Sequence, residues 1–283
     1  MLDNGLSKYF EEHLSSHGFL KLDDLAFEMQ QGKGAFWGVY KVNTPEGQFC
    51  IRNSNEKRVF DSENLLGQVY NLCGLESAIY FPVVYKNRTG LISNNLDKPT
   101  AYTGFQYNER MKDETGEMFP FLLSSKIDPK QMHIINKYFT RNAVRDIIKK
   151  TVLDVCACNT DGHLSNIIYQ MQDGKVSKIQ SFDNEFSGKI FFSYGSESEY
   201  SVYFNYFQGG LKRNREEIID EVKNNETSLS FITPQEIAES IGSVDIIATA
   251  KDFERNLPGY YFDEKYVNGM AYSFDKMAED LVK

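Results

Sequence analysis

The sequence predicts an α+β chain of two lobes: a small antiparallel β-sheet with one helix, then a larger and mainly helical part. Three observations predict it. Within residues 1–95, short runs rich in aromatic and β-branched residues flank the helical period of residues 59–73. Long helical periods dominate after residue 129. Between those helices lies one further strand–turn–strand unit, residues 166–183. The expected lobes are therefore residues 1–95 and 96–283.

Taken in order, "LSKYFEEHLSS" (6–16) reads as a short amphipathic helix. "AFWGVYKVN" (35–43) and "QFCIRN" (48–53) read as strands, and the turn residues "TPEG" between them make a hairpin. In "VFDSENLLGQVYNLC" (59–73), Phe60, Leu65, Leu66, Val69 and Leu72 share one helical face. Asp61 or Ser62 is expected to cap that helix, and Gly74 to end it. "AIYFPVVY" and "GLISNN" follow as strands joined by the turn "KNRTG". Residues 96–128 show few clean periods and read as irregular. Residues 129–153 read as one or two helices, with Pro129 suited to a first turn. A polar loop, a strand, the turn "QDGK" and a second strand come next. "YGSESEY" reads as an exposed loop. Residues 214–224, 233–251 and 263–282 read as helices, the second opened by a capping box of Thr233 and Glu236.

Composition bounds the function. With 41% apolar residues, 21 Phe and 17 Tyr, the chain can bury a sizeable core. A net charge of −9 argues against direct nucleic-acid binding, which needs clustered Lys and Arg. Cys50 and Cys73 sit in apolar runs; Cys156 and Cys158 are one residue apart with no second pair, a poor pattern for zinc. Four scattered cysteines suit a reducing compartment. No basic, apolar leader and no membrane-length apolar run is present, so a cytoplasmic protein without membrane contact is expected.

The candidate site lies in "NTDGHLSNIIYQMQDGKVSKIQSFDNEF" (159–186). Asp161 and Asn166 are five residues apart, and Asp183 closes the hairpin that Asn166 opens. A hairpin returns its two ends to one place, so the oxygens of Asn166 and Asp183 can reach one metal ion. Phosphoryl transfer asks for this set: an Asp to orient the acceptor hydroxyl and two oxygen ligands for Mg²⁺. His163 joins Asp161 in the loop, where its spacing suits a bracing hydrogen bond more than a base. "GKGAFWG" adds Gly32, Lys33, Gly34 and Gly38, a loop able to present backbone N–H groups to phosphates. It is one residue longer than the usual kinase loop. Arg52, on the strand before the helix, supplies a cation, and Glu63 on that helix is its expected partner. Lys41 on the neighbouring strand is an alternative cation. The bland alternatives are an ordinary glycine turn, a chance Asp–Asn spacing and a solvated Arg–Glu surface pair.

"NTDGHLSN" resembles the catalytic loop of HipA-like serine/threonine kinases. "QSFDNEFSG" is similar to that family's metal-binding segment, and "DSENLLGQVYNLCGLESAIYFP" to its first-lobe helix. The resemblance covers roughly residues 59–188. It implies a two-lobed protein-kinase-like fold, ATP with Mg²⁺, and a protein Ser or Thr as acceptor. It makes Asp161 the catalytic base and Asn166 and Asp183 the metal ligands. Many relatives work beside a small DNA-binding antitoxin, so an antitoxin-like partner is an expectation too. Three departures stand out: Gly162 sits where the family usually has Arg, Arg52 occupies the place of a lysine, and "GKGAFWG" lacks the Ser or Thr that many relatives carry in this loop. A nucleotide-binding pseudokinase and a small-molecule kinase of the aminoglycoside phosphotransferase type are the alternatives.

Overall fold

Strands β1 (Leu20–Lys21), β2 (Met29–Gln31), β3 (Val39–Thr44) and β4 (Gly47–Asn53) precede the first helix, α1 (Lys57–Leu72). Strands β5 (Tyr80–Tyr85) and β6 (Arg88–Asn94) follow it, and the six strands form one sheet in the order β1-β5-β6-β4-β3-β2. The computed structural model describes residues 20–21, 29–31, 39–44, 47–85, 88–94, 101–116, 129–159, 166–182, 191–192 and 215–283. The β3–β4 hairpin forms as expected, in register from Val39↔Arg52 to Thr44↔Gly47. Strand alternation buries Phe49 and Ile51 while Cys50 and Arg52 take the other face. The β5–β6 turn is tighter than "KNRTG" suggested, because Arg88, Thr89 and Gly90 are already paired strand residues. The expected helix at 6–16 and the loop "YGSESEY" lie outside the described residues.

Helix α1 starts earlier than expected, and its cap is corrected. Glu56 is the N-cap and makes no side-chain cap bond. Asp61 and Ser62 are fully buried inside the helix. The Ser62 hydroxyl turns back onto the carbonyls of Arg58 and Val59, as hydroxyls in a helix interior do. At the other end Gly74 adopts φ +73°, and Gly74 and Leu75 donate to Asn71 and Tyr70. This glycine-ended turn delivers Leu75 into the core and leaves Leu72 57% exposed, against the expected face.

Residues 96–128 are not wholly irregular. They hold β7 (Ala101–Thr103) and α2 (Gly104–Thr115). Thr103 Oγ1 accepts from Gln106 N, and Gln106 Oε1 accepts from Thr103 N, at 3.2 and 3.0 Å. Helices α3 (Pro129–Tyr138) and α4 (Arg141–Cys156) lead to the hairpin of β8 (Ile167–Gln172) and β9 (Lys175–Ser181). Asp173 and Gly174, both at positive φ, make its turn. Strands β7, β8 and β9 form a second, antiparallel sheet. Tyr107, Phe139 and Tyr169 meet edge to face with centroids 5.6–5.9 Å apart, joining α2 and the residue after α3 to β8.

The remainder is helical: α5 (Arg215–Asn224), α6 (Glu226–Phe231), α7 (Pro234–Gly242), α8 (Ile246–Asn256) and α9 (Glu264–Val282). The Thr233–Glu236 capping box forms as expected. The single helix expected over 233–251 is instead two, since Asp245 accepts from Ala248 N and caps α8 anew. Helix α9 packs on α7 and α8, and α8 reaches back to α1. Among the described residues no helix is long and apolar enough to cross a membrane.

Candidate active site

The β8–β9 hairpin sets the geometry. Ile167 pairs with Ser181, and one step further Phe182 N donates to Asn166 O at 3.1 Å. Asn166 and Phe182 thus stand opposite each other at the open end of the hairpin, and Asn166 is only 4% exposed. Asp183 is the next residue in the chain. Asp183, Asp161 and His163 lie outside the described residues, as do Gly32, Lys33, Gly34 and Gly38.

That hairpin end is clamped from the other side. Ser181 N donates to Glu76 O at 2.9 Å, Ala78 N donates to Ser181 O at 2.8 Å, and Ser77 Oγ donates to the same carbonyl at 3.2 Å. Residues 76–78 follow the turn that ends α1. They are pressed onto that helix at Gly67, where an added Cβ would stand 2.2 Å from Ala78 O. Glycine is needed there for the approach, not for its backbone freedom.

Arg52 and Glu63 come together. Arg52 Nη1 donates to Glu63 Oε1 at 3.2 Å, with the side chains 11% and 0% exposed. The pair is therefore not a solvated surface contact. Burial of this kind demands a partner for each charge, and its loss leaves an uncompensated ion. Arg52 is held between Val39 on β3 and Leu91 on β6 in the sheet register. Lys41 sits two positions along β3 from Val39, opposite Cys50.

Two buried polar clusters were not foreseen from sequence. In the first, Asp154 Oδ1 accepts from Tyr70 Oη at 2.9 Å and Asn159 Nδ2 at 3.2 Å, while Oδ2 accepts from Lys150 Nζ at 2.5 Å. Burial, and then the Asp154 carboxylate, hold the Tyr70 phenol well above its ordinary pKa. In the second, Asp61 accepts from Tyr260 Oη at 2.6 Å, from Asp263 N at 3.0 Å and from Lys57 Nζ. Burial pushes the Asp61 carboxyl upward, and Lys57 and the hydrogen bonds oppose it. Lys57 also stands over the Tyr260 ring, 4.6 Å from its centroid. The one local signal was Lys150 four residues before Asp154 within an apolar helical period.

No family model matches the sequence, and no curated protein matches it. Solved structures do. The chain is similar to the Helicobacter pylori proinflammatory kinase CtkA, with a TM-score of 0.64 over 93% of this chain and 95% of that one, at 13% identity. The fold is two-lobed and protein-kinase-like. A lower TM-score, 0.45, relates it to HipA from the Shewanella oneidensis HipA–HipB–operator DNA complex, at 11% identity over 89% of this chain and 64% of that one. Arg52–Glu63 joins a cation on a sheet strand to a glutamate on the adjacent helix.

Proposed function

We propose that this chain is an ATP- and Mg²⁺-dependent phosphotransferase, a HipA-like kinase acting on a Ser or Thr hydroxyl of a protein. The observation that carries the reading is the buried Arg52–Glu63 ion pair, set within a kinase-like fold. A guanidinium enclosed to 11% exposure and tied to a helix is preorganised to meet phosphate oxygens. Residues 1–95 would form the nucleotide-binding lobe, with Gly32, Lys33, Gly34 and Gly38 over the phosphates, and residues 96–283 the lobe carrying the hairpin.

The donor set suits magnesium. Asn166 and Asp183 offer an amide and a carboxylate oxygen, hard ligands of the kind Mg²⁺ accepts. The Phe182–Asn166 bond at 3.1 Å supports their convergence, because it fixes Phe182, one residue before Asp183 in the chain, opposite Asn166. Magnesium held by these two residues would supply charge neutralisation for the nucleotide phosphates. Asp161 orients the acceptor hydroxyl and takes its proton as the oxygen bonds to the γ-phosphorus and ADP leaves. His163 braces the loop that carries Asp161. The acceptor is a protein side chain, and a small antitoxin-like protein is the proposed partner. The −9 net charge favours such a partner over nucleic acid, and the cysteine pattern suits a reducing, cytoplasmic setting.

The test is incubation of the protein with γ-labelled ATP, Mg²⁺ and a cell lysate, beside Asp161→Ala. Wild type should label protein bands, and the variant should lose at least about 100-fold, as expected for a group acting on transition-state charge. Equal labelling by the two proteins overturns the assignment. A second reading, a nucleotide-binding pseudokinase, is favoured by the sequence: arginine, at Arg52, stands where kinases use lysine, and the glycine loop is one residue longer than usual. Thermal stabilisation by ATP and Mg²⁺ without any labelling would select it.

A further inference from the structure

We propose that Tyr70 and Asp154 are positioning residues, which hold the segment leading into Asp161 in fixed relation to the helix that carries Glu63. The inference rests on the kinase reading above. Four side chains meet out of contact with water: Tyr70 from α1, Lys150 and Asp154 from α4, and Asn159 from the segment after α4. Asn159 is two residues before Asp161 in sequence.

The turn that brings Asn159 to Asp154 is strained. Cys158 adopts φ +48°, a left-handed conformation that side chains bearing a Cβ rarely take. Asn159 holds it from both ends: its N–H donates to the Asp154 carbonyl at 2.8 Å and its side chain to the Asp154 carboxylate. A buried ionised pair is a poor way to gain stability, since apolar residues of similar volume do as well or better. What Asp154 adds is direction. One carboxylate oxygen receives both the Tyr70 hydroxyl and the Asn159 amide, so α1 and the approach to the loop share a single atom. Tyr70 is seven residues after Glu63, two turns along the same face of α1. The helix that sets Glu63 therefore also sets Asn159, two residues before the proposed base in the chain.

Tyr70→Phe removes the shared bond and little else. Tyr260→Phe is its matched control. It deletes another buried tyrosine hydroxyl bonded to a carboxylate on α1, and Asp61 keeps two other donors just as Asp154 does in Tyr70→Phe, but its partners lie on the approach to α9 and not beside Asn159. For each variant, kcat, KM for ATP, the melting temperature and amide hydrogen exchange around Asn159 are measured. Tyr70→Phe should lower kcat about tenfold with KM for ATP within twofold, and should speed exchange at Asn159. Tyr260→Phe, with a comparable fall in melting temperature, should leave kcat within twofold. Wild-type kcat in Tyr70→Phe, or an equal kcat loss in Tyr260→Phe, overturns the proposal. If the wild type transfers no phosphate, the kinase reading fails, and exchange decides the tie alone: unchanged exchange at Asn159 in Tyr70→Phe overturns it, faster exchange sustains it.

Discussion

Asp146, on α4, is a carboxyl that burial pushes up from the usual range to about 6, against the pull of Lys149, Arg145 and Lys178. The folded protein therefore holds this proton more readily than the unfolded chain. The stabilising contribution is complete below the unfolded value of 3.8 and is lost as pH rises through about 6. Asp146→Asn mimics the protonated form. It should match wild type in urea unfolding near pH 4 and exceed it by about 1 kcal/mol at pH 7.5, after discounting for partial exposure. A more stable wild type at pH 7.5 would refute this. Single residues were legible in the sequence where their partners are close. Glu236 answers Thr233 three positions away, and Glu63 meets Arg52 eleven away on adjoining elements. Asp154 and Asp61 were not, because their tyrosines lie 84 and 199 positions distant. Asp61 even mimicked a helix cap, since an acidic residue near a helix start carries no mark that separates a cap from a tertiary acceptor.

Helix α1 gives the sharpest test among the elements. Helix propensity alone says that Gly67→Ala stabilises by roughly 1 kcal/mol. The contact says the opposite, because the new methyl would stand 2.2 Å from a backbone carbonyl, Ala78 O, that cannot rotate away. The expected net effect is a loss of about 2 kcal/mol or more in a denaturant titration. Stabilisation would show that the 76–78 segment yields freely. Most elements were legible because strand alternation, the "DG" turn and helical periods are local. The helix α2 escaped notice because its period is polar and aromatic, though "TGFQ" carried the cap signature now seen in Thr103 and Gln106. The break between α7 and α8 escaped because the apolar period runs through "IGSVD", and only the Asp245 cap restarts the helix.

Across the whole molecule, the division into lobes does not make two independent bodies. Tyr70 reaches α4, Asp61 reaches the approach to α9, and Phe81 of β5 stacks on Phe253 of α8 at 5.8 Å. These ties predict one cooperative thermal transition, with calorimetric and van't Hoff enthalpies in agreement. Two resolved transitions would contradict it. The order of strands and helices was readable from composition and period, and so pointed to the fold; the catalytic loop and glycine loop were readable only as motifs. The joints between lobes were not, because long-range side-chain bonds leave no periodic trace. The clamp on Ser181 has a practical consequence for engineers. Glu76 and Ala78 supply backbone bonds to the far strand of the hairpin, so transplanting residues 166–182 into a foreign scaffold would strip away half their frame. Conversely, a chain cut between residues 94 and 101 leaves two pieces whose complementary edges survive on opposite sides of the nick, the starting point for a split reporter that regains its shape only on reassembly.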